Sequence, residues 1–207
     1  MLPRLAPKPS LPLGSVLRAW LGLALVLLLC ACSVDSQQVD PTLDIDTNLS
    51  ARGQGQPVRI RIEDGRPSQT LGHRTGNDSD SAAVVLSSEE IRPQLLTQTN
   101  KAVRLLGYTP TDRTDVPVLR VILSSLSYQV PNGTGLRTDV DVAATLRGLV
   151  SQPDGRSYSG RYSATMQQSF MGVPSARSNS EMISSVLTDA LNRMFRDPMI
   201  SRTLRAY

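Results

Sequence analysis

The chain has 207 residues, with 22 Lys and Arg against 18 Asp and Glu and a formal charge of +4. Arg4, Lys8 and Arg18 all precede the first acidic residue, Asp35, so beyond residue 31 the balance is 19 to 18. That near-neutrality excludes an electrostatic drive toward nucleic acid; two cysteines (Cys30 and Cys32) and one histidine (His73) exclude a zinc cluster and a disulfide framework.

At the N-terminus the basic stretch 1–18 is followed by Ala19–Ala31, thirteen residues without a charge. A basic lead and an apolar run of this length predict an export signal over 1–31. A transmembrane helix needs about 20 apolar residues. The run ends Leu29-Cys30-Ala31-Cys32, which resembles the bacterial lipobox. Cys32 is therefore expected to become the mature N-terminus, carrying S-diacylglycerol and an N-palmitoyl group. The small Ala31 lets a peptidase reach the bond before it. The competing reading is an ordinary signal cut near Ala31-Cys32-Ser33, with two incidental cysteines. A translation start nearer Val16 would leave the box unchanged. Once Cys30 leaves with the signal and Cys32 is acylated, no thiol remains, and the domain must be held by its core alone.

Residues 32–42 are polar and aperiodic, which predicts a lipidated tether, with a single domain over 43–207. Thr42–Asp46 is a weak strand signal. Val58-Arg59-Ile60-Arg61-Ile62 alternates strictly and predicts a half-buried strand. The segment from Glu63 to Ser81, rich in Gly, Asp, Asn, Ser and Thr, predicts a long loop or irregular hairpin, closed by the apolar run Ala82–Leu86. Ser87-Ser88-Glu89-Glu90 fits a capping box. Behind it Ile91, Leu95, Ala102 and Leu106 recur at helical spacing, with Pro93 placed in the first turn and Gly107 as the stop.

Three strands are expected next. Val118–Val130 changes phase at Ser124-Ser125, which predicts a β-bulge. Asn132-Gly133-Thr134-Gly135 predicts a hairpin connection. Arg137–Val150 places Val140, Val142, Ala144 and Leu146 inward. After the Pro153-Asp154-Gly155 turn, Arg156–Phe170 puts Tyr158, Tyr162, Met166 and Phe170 on one face. A second helix is expected from Asn179 or Ser180, with Met182, Ile183, Val186, Leu187, Ala190, Leu191, Met194 and Phe195 as its apolar stripe. Asp197-Pro198 reads as the cap and first residue of a short last helix. The order β-α-β-β-β-α predicts an α+β fold, a mainly antiparallel sheet of four to five strands with two main helices on one face.

The supply of catalytic groups is thin. A nucleophile–histidine pair would depend on His73, in the polar segment Leu71–Asp78, where a general base lacks fixed surroundings. Ser–Lys chemistry would require Lys101, on the first helix and expected to face solvent. Asp139 and Asp141 alternate with Arg137 and Arg147 on a strand face, the pattern of a solvated sheet surface. Asn77-Asp78-Ser79-Asp80 looks like half a calcium loop but lacks the glycine and the closing glutamate. No phosphate-binding glycine motif occurs. Neither a catalytic residue, a metal nor a cofactor is expected. Asp64 and Arg66 are expected to pair and order the loop that follows them.

Taken in order behind a lipobox, the strand Val58–Ile62, the Asp64…Arg66 segment, Leu105-Leu106-Gly107-Tyr108, the strand Leu119–Tyr128, Ser185-Val186-Leu187-Thr188-Asp189, Asp197 and Ile200 resemble the YajG family of bacterial lipoproteins. The resemblance implies a small lipidated envelope domain with no catalytic residues to carry over. The element order also looks like that of accessory lipoproteins serving lipid-transport or cell-wall machines. The expected partners are the membrane, through the N-terminal lipid, and an envelope protein, but no nucleic acid. Ser33 after the lipidated cysteine, where aspartate retains enteric lipoproteins at the inner membrane, points to the outer membrane facing the periplasm. The competing function is a periplasmic ligand-binding or hydrolytic domain using the 63–81 loop.

Overall fold

The structure, a computed structural model, describes residues 36–75, 82–134 and 136–205. In chain order the elements are β1 (Gln37–Gln38), β2 (Pro57–Asp64), β3 (Thr70–His73), β4 (Ala83–Val85), α1 (Ser88–Leu105), β5 (Thr109–Thr111), β6 (Val118–Thr134), β7 (Arg137–Ser151), β8 (Ser157–Met171), α2 (Ala176–Arg196) and α3 (Pro198–Arg205). The α+β class is as expected. β6, β7 and β8 form the antiparallel meander, and the bulge falls between Leu123 and Ser125.

The pairing that the sequence did not announce is parallel. The main sheet has the order β5-β2-β6-β7-β8, with β2 parallel to both β5 and β6. A parallel pair needs a crossover connection, and α1 supplies it. A second sheet, β1-β4-β3, contains the hairpin of β3 and β4. The loop tip joining that hairpin, including the half calcium loop, lies outside the described residues, as do the export segment and Cys32.

Helices α1 and α2 share one face of the main sheet, α1 over β2 and β5 and α2 over β7 and β8. Val140, Val142, Ala144 and Leu146 meet the apolar stripe of α2 in a single core. α2 starts earlier than expected, at Ala176, because the Ser175 hydroxyl accepts the Ser178 N–H at 3.1 Å and caps it. At the head of α1 the Ser87 hydroxyl accepts the Glu90 N–H at 3.2 Å. The Glu90 carboxylate, expected to return to the cap, instead accepts a hydrogen bond from Gln38 Nε2 at 2.7 Å. Pro93 is the sixth residue of α1, one turn later than expected, on the exposed side of the helix.

The predicted strand Thr42–Asp46 is extended but pairs with no strand, and the predicted tether ends sooner than residue 42. Gln37 and Gln38 pair with β4, and Val39, Leu43 and Ile45 are buried in the core. Residues 39–46 form a strap between the two helices. On one side Asp40, Thr42, Asp44 and Asp46 donate their backbone N–H groups to Ser180, Ser184, Thr188 and Asn192 of α2, at 3.1, 2.9, 3.4 and 2.8 Å. Two extended residues advance about 6.6 Å and four helical residues about 6.0 Å, so the two periods stay in step. On the other side Gln98 of α1 accepts from Ile45 N at 3.2 Å and donates to Leu43 O at 2.7 Å. Side chains thus satisfy the amides that a neighbouring strand would otherwise bind.

The foot of α1 is closed by Gly107, at φ +87°, with Tyr108 N–H on Val103 O and Gly107 N–H on Arg104 O. Gly53 lies against it so closely that a Cβ on Gly107 would sit 2.6 Å from Gly53 O. Gly107→Ala is therefore expected to cost about 2–3 kcal/mol, from left-handed backbone strain plus displacement of the 52–56 segment. Urea unfolding measures this; a change below 0.5 kcal/mol, on the order of a neutral surface substitution, contradicts it.

Candidate functional site

Asp64 closes β2, and the chain folds back at Gly65 so that Arg66 grips the preceding carboxylate. Arg66 Nε and Nη2 reach the two Asp64 oxygens at 2.8 and 2.7 Å. The Arg66 N–H adds a third bond at 3.2 Å and Ser88 Oγ a fourth at 2.5 Å. Arg66 Nη2 also donates to Leu86 O at 3.0 Å. The side chains of Arg66 and Asp64 are 2% and 6% exposed, so the pair is buried. Leu86 and Ser88 flank the cap of α1, and the pair fastens the end of β2 to the start of its crossover helix.

Burial pushes the Asp64 carboxyl up, but the bonds from Arg66 and Ser88 outweigh it and hold it below the ordinary carboxylate range. An acid held ionised in this way is poorly matched to proton transfer near neutral pH. The geometry is that of a staple.

Beside this staple runs a groove of about 560 Å³, floored by Ile60, Ile62, Pro93 and Leu96 and rimmed by Arg61, Glu89 and Arg92. It exists because β5 is short. β5 pairs with Pro57–Arg59 only, and among the described residues no strand covers Ile60–Asp64 on that edge. Leu96, next to the buried Leu95 of α1, is 42% exposed at the groove. Ile60 and Ile62 alternate as a core strand would, yet the short β5 leaves both only half-buried.

The other candidates are dispersed. His73 is half-buried at the end of β3, opposite Ala83, and not on a flexible loop. Lys101 pairs with the exposed Asp44 at 2.7 Å. Asp139 takes Arg137 at 3.3 Å and the Ser169 hydroxyl at 2.5 Å, a surface arrangement on the outer sheet face. Among the described residues no group of His, Cys, Asp or Glu could hold a metal ion. None of these helices is long and apolar enough to cross a membrane.

A further carboxylate, the half-buried Asp197, was expected only as a helix cap. It is one: its Oδ1 accepts Met199 N–H at 2.8 Å. Its Oδ2 accepts the hydroxyls of both Tyr158 and Tyr162 at 2.6 Å, joining β8 to α3. Burial pushes Asp197 up, but the two tyrosines and Met199 hold it below the ordinary value. Asp64 and Asp197 are both lowered, so their stabilisation is complete above the unfolded carboxylate pKa of about 3.9 and is lost as pH falls through the folded values. The melting temperature is expected to drop on acidification below about pH 4. The drop should be shallower in Tyr158→Phe/Tyr162→Phe, which loses the hydroxyls that depress Asp197. Identical pH profiles would contradict the assignment.

Comparison with known proteins places this fold. The model of the uncharacterized lipoprotein family Lipoprotein_16, which is the YajG family, matches residues 41–205. No curated protein sequence matches the chain. Among solved structures, protein XCC0632 from Xanthomonas campestris is similar with a TM-score of 0.56 at 10% identity, covering 81% of this chain and 97% of that one. A minor lipoprotein from Acinetobacter baumannii has a TM-score of 0.39 at 16% identity, over 73% and 91% of the two chains. Rare lipoprotein B from Shewanella oneidensis has a TM-score of 0.35 at 15% identity, over 73% and 92%. With the ordered motifs from Val58 to Ile200 inside the matched region, the chain belongs to the YajG family of lipoproteins.

Proposed function

We propose that this protein is a noncatalytic envelope lipoprotein, anchored by acylated Cys32 in the inner leaflet of the outer membrane and binding a protein partner from the periplasmic side. The observation that carries the partner-binding reading is the groove at Ile60–Leu96. It combines an unpaired strand edge with an apolar floor, the two features by which an extended peptide segment adds to a sheet. Ser88, the one hydroxyl lining it among the described residues, donates to Asp64, and that carboxylate is held ionised by Arg66 and is a poor base. Support for the anchor comes from the lipobox and from the lipoprotein family to which the chain belongs.

A photo-crosslinking side chain at Leu96, with one at Ser163 on the outer sheet face as control, tests the groove in living cells. The expected result is one reproducible envelope protein captured from position 96 and not from 163. No capture at 96, together with a hydrolytic turnover that is lost on replacing Asp64 or His73, supports the competing enzyme. For the anchor, Cys32→Ser is expected to abolish incorporation of labelled palmitate; retained label contradicts it.

A further inference from the structure

At one end of the meander three large apolar side chains stand in solvent: Leu136 at 81%, Met171 at 87% and Val173 at 55% exposure. They come from two turns that the backbone holds together. Arg137 is in register with Met171, and Gly172 N–H donates to Leu136 O at 3.1 Å. Single exposed hydrophobics are ordinary, but a group at one tip marks a contact surface. Nearby arginines do not explain it, since Arg137 pairs with Asp139 and Arg177 with Glu181. The tip is apolar without net charge.

The N-terminal chain enters at this same end. The strap runs parallel to α2, Asp40 on Ser180 and Asp46 on Asn192, so it starts where α2 starts. Gln37 Oε1 accepts from Asn179 Nδ2 at 2.5 Å, in the first turn of α2, and Ala176 follows Met171 by five residues. Cys32 lies five residues before Gln37, and five extended residues reach about 17 Å. The five steps of β8 from Met166 to Met171 rise by about the same length. An anchor at Cys32 and the tip can therefore meet one plane.

We infer that Leu136, Met171 and Val173 dip into the interfacial layer of the leaflet that holds the lipid, as a second contact beside the acyl chains. This rests on the reading of Cys32 as the anchor. Tethering makes the second contact intramolecular, so a small apolar surface suffices where it would not hold a free protein. The domain then stands on the end of the sheet that carries Leu136 and Met171, with the Gln152–Arg156 turn farthest from the bilayer.

The test uses the processed lipoprotein, purified from cells and reconstituted in phosphatidylethanolamine–phosphatidylglycerol vesicles. Met171→Cys, Val173→Cys and Ser157→Cys, the last at the opposite end of β8, each receive an environment-sensitive fluorophore. The acylated Cys32 does not react. The expected result is at least threefold stronger quenching by spin-labelled lipid at 171 and 173 than at 157, with all three samples floating with the vesicles. Flotation with equal quenching at both ends overturns the tip and leaves the anchor standing. A label at 171 shielded from iodide but not quenched by lipid also overturns it, since protein then covers the tip. Failure to float overturns the anchor and the tip together.

Discussion

Asp64→Ala is expected to lower the free energy of unfolding by about 3–5 kcal/mol, the cost of leaving a buried guanidinium without its carboxylate. Arg66 sits at 2% exposure, and four of the bonds around it and Ser88 converge on Asp64. Its Nη1 is already buried without a partner, so the site has no spare acceptor to offer. The loss should come from the orphaned charge more than from the missing attraction. Asp64→Leu/Arg66→Met is therefore expected to recover much of it, since a buried ion pair replaced by apolar groups of similar volume is often near neutral. Urea titration of the single and double variants decides this. A double variant no more stable than Asp64→Ala contradicts the burial argument.

The strap gives the second large effect, and it alternates along the chain. Leu43→Ala and Ile45→Ala are each expected to cost about 2–5 kcal/mol, because both side chains are 2% exposed in the core between the helices. Asp44→Ala, between them, is expected to change stability by less than about 0.5–1 kcal/mol. Its side chain is 80% exposed, and its contact with Lys101 is a surface pair. Gln98→Leu should fall with the large effects, since it strands Ile45 N–H and Leu43 C=O together. Thermal unfolding of the four variants measures the pattern. A uniform small loss at 43, 44 and 45 would mean the segment is a tether and not part of the core.

What the sequence made legible was whatever repeats locally. The period of two at Val58–Ile62 and Val140–Leu146, the phase change at Ser124-Ser125, and the caps at Ser87 and Asp197 are each decided within a few residues. Asp64 and Arg66 could be paired because they are two apart on the same turn. Their other partners, Ser88 and the Leu86 carbonyl, are 24 and 20 residues away and carried no signal. The parallel pairing of β2 with β6 was hidden for the same reason, since it is set across the whole of α1.

The strap was misread because its hydrogen-bond partners are side chains 140 to 146 residues away. Ser180, Ser184, Thr188 and Asn192 do recur every four residues on α2, and a polar row of short acceptors beside an apolar stripe is the signal that could have found it. The groove followed from β5, three residues too short to register as a strand, leaving Ile60 and Ile62 half covered. Function was less legible than fold because the described residues hold no cluster of His, Cys, Asp and Glu to be read, and a binding surface has no residue signature of its own.

The central claim is that Cys32 is the acylated N-terminus of a domain whose folded part begins within five residues of it. Intact-mass and N-terminal peptide spectrometry of the protein extracted from membranes tests this directly. The account predicts a chain beginning at Cys32 and carrying diacylglycerol on sulfur and an acyl group on nitrogen. A mature chain that begins elsewhere, or an unmodified Cys32 thiol in the membrane-extracted protein, would contradict it.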